Sequence, residues 1–562
     1  MASKKILIIG GSAAGAKAAG RARRMDENAD IAILQNVPDL AMATCAYPYY
    51  AQGIVRRRDF LFKTPEYFLK AKNVAASAGV EAVEIERSAK EVLCREIATG
   101  RLFKRSYDKL ILATGARPRT LGVKGEGLQG ISAFHTMGDS DYLKSVCKTE
   151  KVSKAVVIGG GLVGMEACEA LALSGAGVTV AEFSDQILPM LDPDLAALVQ
   201  NHCEQKGVRV TLNVSVERFS GKNGALETVH FTDGTRVDCG LAIVAAGVAP
   251  HVELAEKAGL SIGPAGGIKT DAHMRTSDPD IYAAGDCAQK TDRITGEPVL
   301  SPMGNLANLE GRVAGENAAA GDRASFKGVL RAGICKIFDF SAGATGLNQK
   351  QAKRLGLDCF ASLCAGSDKP FFMNPGSLVS RMTADKKDRT LLGFQCVGTG
   401  DVSRQMATAA AAIYGKMSAN DAAALDMPYA PPFSPAIDHF IAAAHVLTNQ
   451  AENLFSPISS FEVKKAAEGK NPPFIMDVRD PEEYRALRLG IGETLIPLGS
   501  LRQSPDALPR DKSAAIICYC AVSARAYEAS RVLWARGYEN VRVMEGGIAA
   551  WPFKKETNKA RS

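Results

Sequence analysis

Short apolar runs that end in glycine recur along this chain and organise its reading. KILII at 5–9 is followed by Gly10, Gly11, Ser12, Ala13, Ala14 and Gly15, then by a stretch of small residues and by IAIL at 31–34. A buried strand, a tight turn, a helix and a second strand predict a βαβ unit. The same order returns at 154–182 in KAVVIGGGLVGMEACEALALSGAGVTVAE. LILATGARP at 110–118, LAIVAAGVAP at 241–250 and DIYAAGDCA at 280–288 read as further strands running into glycine turns. From about residue 329 the pattern becomes an α+β mixture that ends in MPYAPPF at 427–433. A segment containing Ser434, Pro435, Ser456 and Pro457 reads as helix and linker, after which 461–552 show a small α/β pattern.

The expected fold is α/β. It comprises a first Rossmann-like dinucleotide-binding domain in two parts (1–150 and 251–328), a second at 151–250, an α+β domain at 329–445, a linker at 446–460 and a C-terminal α/β domain at 461–562. Composition narrows the function classes. The chain's 46% hydrophobic and 23% charged residues are ordinary for a soluble multidomain enzyme. The net charge of +7 is modest, and no dense Lys/Arg block interleaved with aromatics appears apart from the short tail Lys554, Lys555, Lys559 and Arg561, so no nucleic-acid partner is expected. No run approaches the roughly 20 apolar residues of a membrane span. The apolar stretch after Lys5 is too short for a signal peptide and fits a first strand, so a cytoplasmic protein is expected. Thirteen cysteines, an odd number without metal-ligand spacing, predict neither a disulfide framework nor a metal site.

Glycine turns before helices let backbone N–H groups approach a pyrophosphate. Gly159, Gly161 and Gly164 complete the G-x-G-x-x-G pattern, and Glu182 ends the following strand, where a carboxylate binds an adenosine ribose and repels a 2′-phosphate. NADH is therefore the expected nicotinamide cofactor. The first unit departs from this pattern: Ser12 takes the middle position and Gln35 the place of the acid. Its support comes from Gly285 and Asp286, an aspartate placed to meet the ribitol and phosphate side of a flavin, and from Thr114 and Gly115.

In this order the motifs resemble the pyridine nucleotide-disulfide oxidoreductases, which implies FAD at the first unit and NAD(P)H at the second. Members with a cysteine pair place the second thiol about five residues after the first. Here Cys45 is followed at that distance by Tyr50, which leaves one thiol to hold a mixed disulfide, a persulfide or a sulfenic acid. CAYPYY, GRVAGENAA at 311–319, KIFDFSAGATGLNQKQ at 336–351 and YAPPF at 429–433 resemble the coenzyme A-disulfide and persulfide reductase branch. That resemblance implies a homodimer in which residues 329–445 form the dimerisation domain and Tyr429 reaches the catalytic cysteine of the partner subunit. It also makes coenzyme A a possible ligand. Ala41 and Thr44 replace the branch's serine and asparagine, and Phe371 or Phe372 stands where a second tyrosine is usual, so persulfide or polysulfide ranks at least level with coenzyme A disulfide.

IICYCAVSARAYEASRVL places Cys520 at a strand end and Arg525 at a helix start, a setting that stabilises a thiolate or a persulfide. With MDVRDPEEY at 476–484 and MEGGIAAW at 544–551 it resembles the rhodanese sulfurtransferases. LRLGIGE replaces the usual histidine-glycine turn, and Cys518, Asp477 and Arg479 read as structural. The reading is an FAD-dependent NADH reductase of small-molecule sulfur substrates with a fused sulfur carrier. The alternative is an NADH oxidase or peroxidase that uses a Cys-sulfenic acid, its C-terminal domain serving only to bind sulfur or to dock.

Overall fold

Ile6, Ile8, Ile31, Ile33 and Leu110 are almost wholly buried, as unbroken apolar runs require when a parallel sheet is covered on both faces. The computed structural model describes residues 3–61, 63–149, 152–503 and 506–557, so Lys559 and Arg561 of the basic tail lie outside the described residues. The chain divides into two units, Met1–Phe183 with Val214–Val329 and Ser184–Asn213 with Leu330–Ser562.

In the first unit a five-stranded parallel sheet runs in the order Ile281–Ala283, Lys109–Leu112, Lys5–Ile9, Asp30–Gln35 and Ala75–Ala78. The helix Ala13–Met25 packs along Gly304–Ala320. A Cβ at Gly311 or Gly315 would stand 2.2 Å from the carbonyl oxygens of Ala14 and Ala18, so the small residues on both helices are what bring their backbones together. A second parallel sheet contains, in order, Gly177–Ala181, Lys154–Ile158, Leu241–Val244 and Ile131–Ser132. Val248–Pro250 pairs antiparallel with Ala116–Pro118, which joins the two strand-glycine segments seen in the sequence.

The second unit holds a five-stranded antiparallel sheet, ordered Gly333–Ile337, Phe340–Gly346, Leu391–Gly398, Ser377–Asp385 and Cys359–Ser367. It also holds a five-stranded parallel sheet, ordered Pro457–Ile458, Val541–Met544, Ile516–Tyr519, Phe474–Asp477 and Thr494–Leu495. Residues 184–213 group with the second unit, where Asp192 and Asp194 are buried against Arg381 of the antiparallel sheet. One boundary differs from those read in the sequence. The expected linker at 446–460 begins inside the helix His439–Ala451, where Leu447 is buried and Val446 packs on the C-terminal core. It ends in Pro457–Ile458, which pairs with Val541–Met544. Among the described residues no helix is long and apolar enough to cross a membrane.

Candidate functional site

The two glycine turns repeat one construction. Gly10 adopts φ +101°, and a Cβ there would lie 2.1 Å from the Ala113 carbonyl oxygen; one at Gly15 would lie 1.8 Å from that of Gly10. A Cβ at Gly159, whose φ is +105°, would lie 2.4 Å from Ala245 O, and one at Gly164 would lie 2.0 Å from Gly159 O. These four positions are glycine because the chain crosses itself there. The side chain that ends the second strand then ties each turn down. Gly11 N–H donates to Gln35 Oε1 at 2.6 Å, and Gly160 N–H donates to Glu182 Oε2 at 2.6 Å, with Gln35 and Glu182 both buried. At the middle position a Cβ on Gly161 would meet nothing within 4 Å. The open space lies at the start of the helix Leu162–Leu173, whose N-terminal N–H groups suit an anion.

A cavity of about 930 Å³ gathers Gly10, Ser12, Ala13, Ala14 and Gln35 with Thr114, Gly115, Gly285 and Asp286, bringing three distant segments to one place. Asp286 Oδ1 is buried there without a protein partner. Burial pushes its carboxyl above the usual range, against the pull of Lys290 and His135. Behind this aspartate the structure adds two residues that sequence reasoning missed. Glu310 accepts the Gly285 N–H at 2.8 Å, Lys290 Nζ donates to Gly285 O at 2.9 Å and Ala288 O at 3.1 Å, and the two side chains pair at 3.4 Å, fully buried. Burial pushes the Glu310 carboxyl up to about 7 although Lys290 opposes it. The available signal was a charged residue on the small-residue face of Gly304–Ala320. A cleft of this size, lined by the Gly10–Ala14 turn at the start of a helix and by the unpartnered Asp286 oxygen, fits an FAD.

Cys45 sits exposed on the 3-10 turn Thr44–Ala46, and its neighbours Met42, Thr44 and Tyr47 line the cavity. Tyr47 is buried, its hydroxyl pushed up to about 12 by burial, and it donates to Met42 Sδ at 3.5 Å. Tyr50 stands five residues after Cys45. Its hydroxyl donates to Asp141 at 2.8 Å, and the Lys144 ammonium lies 3.5 Å from its ring centroid.

In the second unit Tyr429 is 54% exposed on the rim of a cavity of about 630 Å³ shared with Asp368, Asp401, Arg404 and Phe433. Phe371, Phe372 and Phe433 are also exposed, an unusual concentration of aromatic surface. Cys520 follows the strand Ile516–Tyr519 and is buried; its loop passes through Ser523, at φ +80°, into the helix Ala524–Ala535. Arg525 pairs through two hydrogen bonds of 2.6 and 2.7 Å with Glu483, a partner not foreseen from the sequence, and this pairing holds its guanidinium above its ordinary range. Asp477 and Arg479 form a buried two-point pair that braces the strand ends, and Cys518 lies in the same apolar core as Cys520.

Residues 4–302 match the family model described as pyridine nucleotide-disulphide oxidoreductase, 333–441 match the dimerisation domain of that family, and 460–553 match a rhodanese-like domain. The chain belongs to the pyridine nucleotide-disulphide oxidoreductases and carries a rhodanese-like domain at its C-terminal end; it is an oxidoreductase of a family that uses FAD and NAD(P)H. Two solved structures are similar along nearly the whole chain. A NAD-dependent persulfide reductase from A. fulgidus is 37% identical with a TM-score of 0.92, covering 97% of this chain and all of that one. Bacillus anthracis CoADR-RHD is 30% identical with a TM-score of 0.91, covering 98% of each chain. A protein of Methanocaldococcus jannaschii named NADH oxidase is 33% identical over 76% of this chain and 95% of its own length.

Proposed function

We propose that this protein reduces sulfur–sulfur bonds with electrons from NADH: persulfide or polysulfide first, coenzyme A disulfide as a further substrate. The observation that carries this reading is Cys45, a single exposed thiol on a turn whose flanking side chains line the flavin-sized cavity, with Tyr50 in the second thiol's place. A thiolate there attacks the substrate's sulfur–sulfur bond, holds one half as a mixed disulfide and releases the other half. Two electrons and a proton then free the held thiol and restore Cys45. When bound, FAD supplies a ring that takes hydride from NADH and passes on two electrons. The chain's own part is to hold that ring's nucleotide on Gly10–Gly15, its ribitol side at Asp286, and NADH at Gly159–Gly164 with Glu182 on the ribose. Ala41 and Thr44, where the related branch has other residues, favour the smaller sulfur substrates.

The match to the dimerisation domain and the exposed Phe371, Phe372 and Phe433 support a homodimer, with Tyr429 acting at the Cys45 site of the partner subunit. Thirteen free thiols suit the reducing cytoplasm. The M. jannaschii relative's name favours a second reading, NADH oxidation by oxygen or peroxide through a Cys45 sulfenic acid. Parallel assays of NADH consumption with polysulfide, coenzyme A disulfide and oxygen separate the two. Cys45→Ser is expected to abolish sulfide release while flavin reduction by NADH survives. Full sulfide release by this variant would remove Cys45 from the chemistry, and oxygen as the only efficient acceptor would establish the second reading.

A further inference from the structure

Arg381 stands on the strand Ser377–Asp385 of the dimerisation domain with its side chain almost wholly buried. Its guanidinium contacts Asp194, lies 3.6 Å from Glu545 Oε2 and 3.9 Å from Asp192 Oδ2, and donates to Gln349 Oε1 at 3.4 Å. Burial opposes this charge, and the surrounding carboxylates Asp194, Glu545 and Asp192 outweigh it. Glu545 belongs to the rhodanese-like domain, one residue beyond the strand Val541–Met544. Its other oxygen accepts the Leu363 N–H at 2.9 Å, from the dimerisation sheet.

From Glu545 the contacts run directly to the sulfur-carrying loop. A Cβ at Gly546 would come 2.3 Å from the Leu363 side chain, and one at Gly547 would come 2.2 Å from the Cys520 carbonyl oxygen, so the turn 545–547 is clamped between the dimerisation sheet and the Cys520 loop. Ile548 N–H donates to Cys520 O at 2.9 Å and Ala549 N–H to Ala521 O at 3.0 Å, while Ser523 Oγ donates to Met544 O at 2.9 Å. The helix His439–Ala451 closes the same junction by placing Val446 on the rhodanese-like core.

We infer that Arg381 is a positioning residue for Cys520: through Glu545 it fixes the sulfur-carrying loop on the dimerisation domain, so the rhodanese-like domain works as a docked body and does not swing on a tether. The planar fork of the guanidinium turns Nη2 to both Asp194 and Glu545 and Nε toward Asp192, so one rigid side chain serves all three carboxylates.

The test is site-resolved alkylation of the holoenzyme with iodoacetamide, comparing wild type with Arg381→Met and Glu545→Gln. Peptide fragmentation separates Cys518 from Cys520, and exposed Cys45 is the reference for reagent activity. Cys518 is as buried as Cys520 and shares its core, so it reports general loosening of the domain. The expected result is a Cys520 rate at least fivefold faster in the variants, with Cys518 within twofold of wild type. Unchanged Cys520, or Cys518 and Cys520 rising together, overturns the inference. If Arg381→Met yields no soluble holoenzyme, Glu545→Gln, nearly the same shape as the native side chain, decides by the same criterion. Alkylation uses no sulfur substrate, so its outcome is independent of what the flavin site reduces.

Discussion

The two glycine turns make the same backbone and differ in two side chains. In both, a buried amide or carboxylate oxygen at the end of the second strand accepts an N–H of the turn at 2.6 Å. Gln35 does this without charge and Glu182 with it, so folding the turn needs an acceptor and not a negative charge. The turn therefore makes no use of the charge at position 182. The middle position teaches the same lesson, since Ser12 shows that the turn tolerates a side chain there and the space around Gly161 is open. At Gly161 that open space would admit a pyrophosphate lying close to the backbone.

The strongest way to break the comparison is to substitute a glycine that the fold itself requires. Gly164→Val drives a side chain into the Gly159 carbonyl and is expected to cost about 3 kcal/mol or more, read as a large fall in melting temperature and loss of NADH binding. Gly161→Val should leave melting temperature and flavin content unchanged while raising the KM for NADH about tenfold or more, since bulk at this point meets only the ligand. An unaltered KM would show that the open space is not the cofactor's. Glu182 divides into two effects. Glu182→Ala leaves the Gly160 N–H buried without its acceptor, at a cost of about 1–3 kcal/mol in thermal unfolding. Glu182→Gln keeps the acceptor and its stability, yet narrows the preference for NADH over NADPH in steady-state kinetics. If glutamine left that preference intact, the charge would have no role in cofactor choice. The smallest effect is expected from Gln35→Glu, which preserves the bond to Gly11 and should hold FAD within about twofold of wild type in a flavin-release assay.

Much of the candidate site was legible in the sequence because its parts are local. A strand, a glycine turn and a helix are contiguous, so Gly10–Gly15, Gly159–Gly164, the single Cys45 and the loop from Cys520 to Arg525 carry their geometry in adjacent residues. The strand-end positions of Gln35 and Glu182 follow from the same periodicity. Their hydrogen bonds to the turns do not, because these depend on where the second strand pairs with the first.

What only the tertiary structure decided lies between segments far apart in the chain. Glu310 and Lys290 look like ordinary surface charges in their own stretches, and burial makes them a support for the Gly285–Asp286 turn. Glu483 is one of several acids in DPEEY until packing turns it onto Arg525. A linker at 446–460 is expected because serine and proline mark breaks in local structure, while Val446 of His439–Ala451 finds its partner only in another core. Arg381 is the clearest instance. It meets Asp194, 187 residues away, and Glu545 beyond the next domain boundary. Local pattern determined the turns, the thiols and the order of domains; the pairing of buried charges was decided by packing, because a charge taken out of water must find its partner wherever the fold brings one.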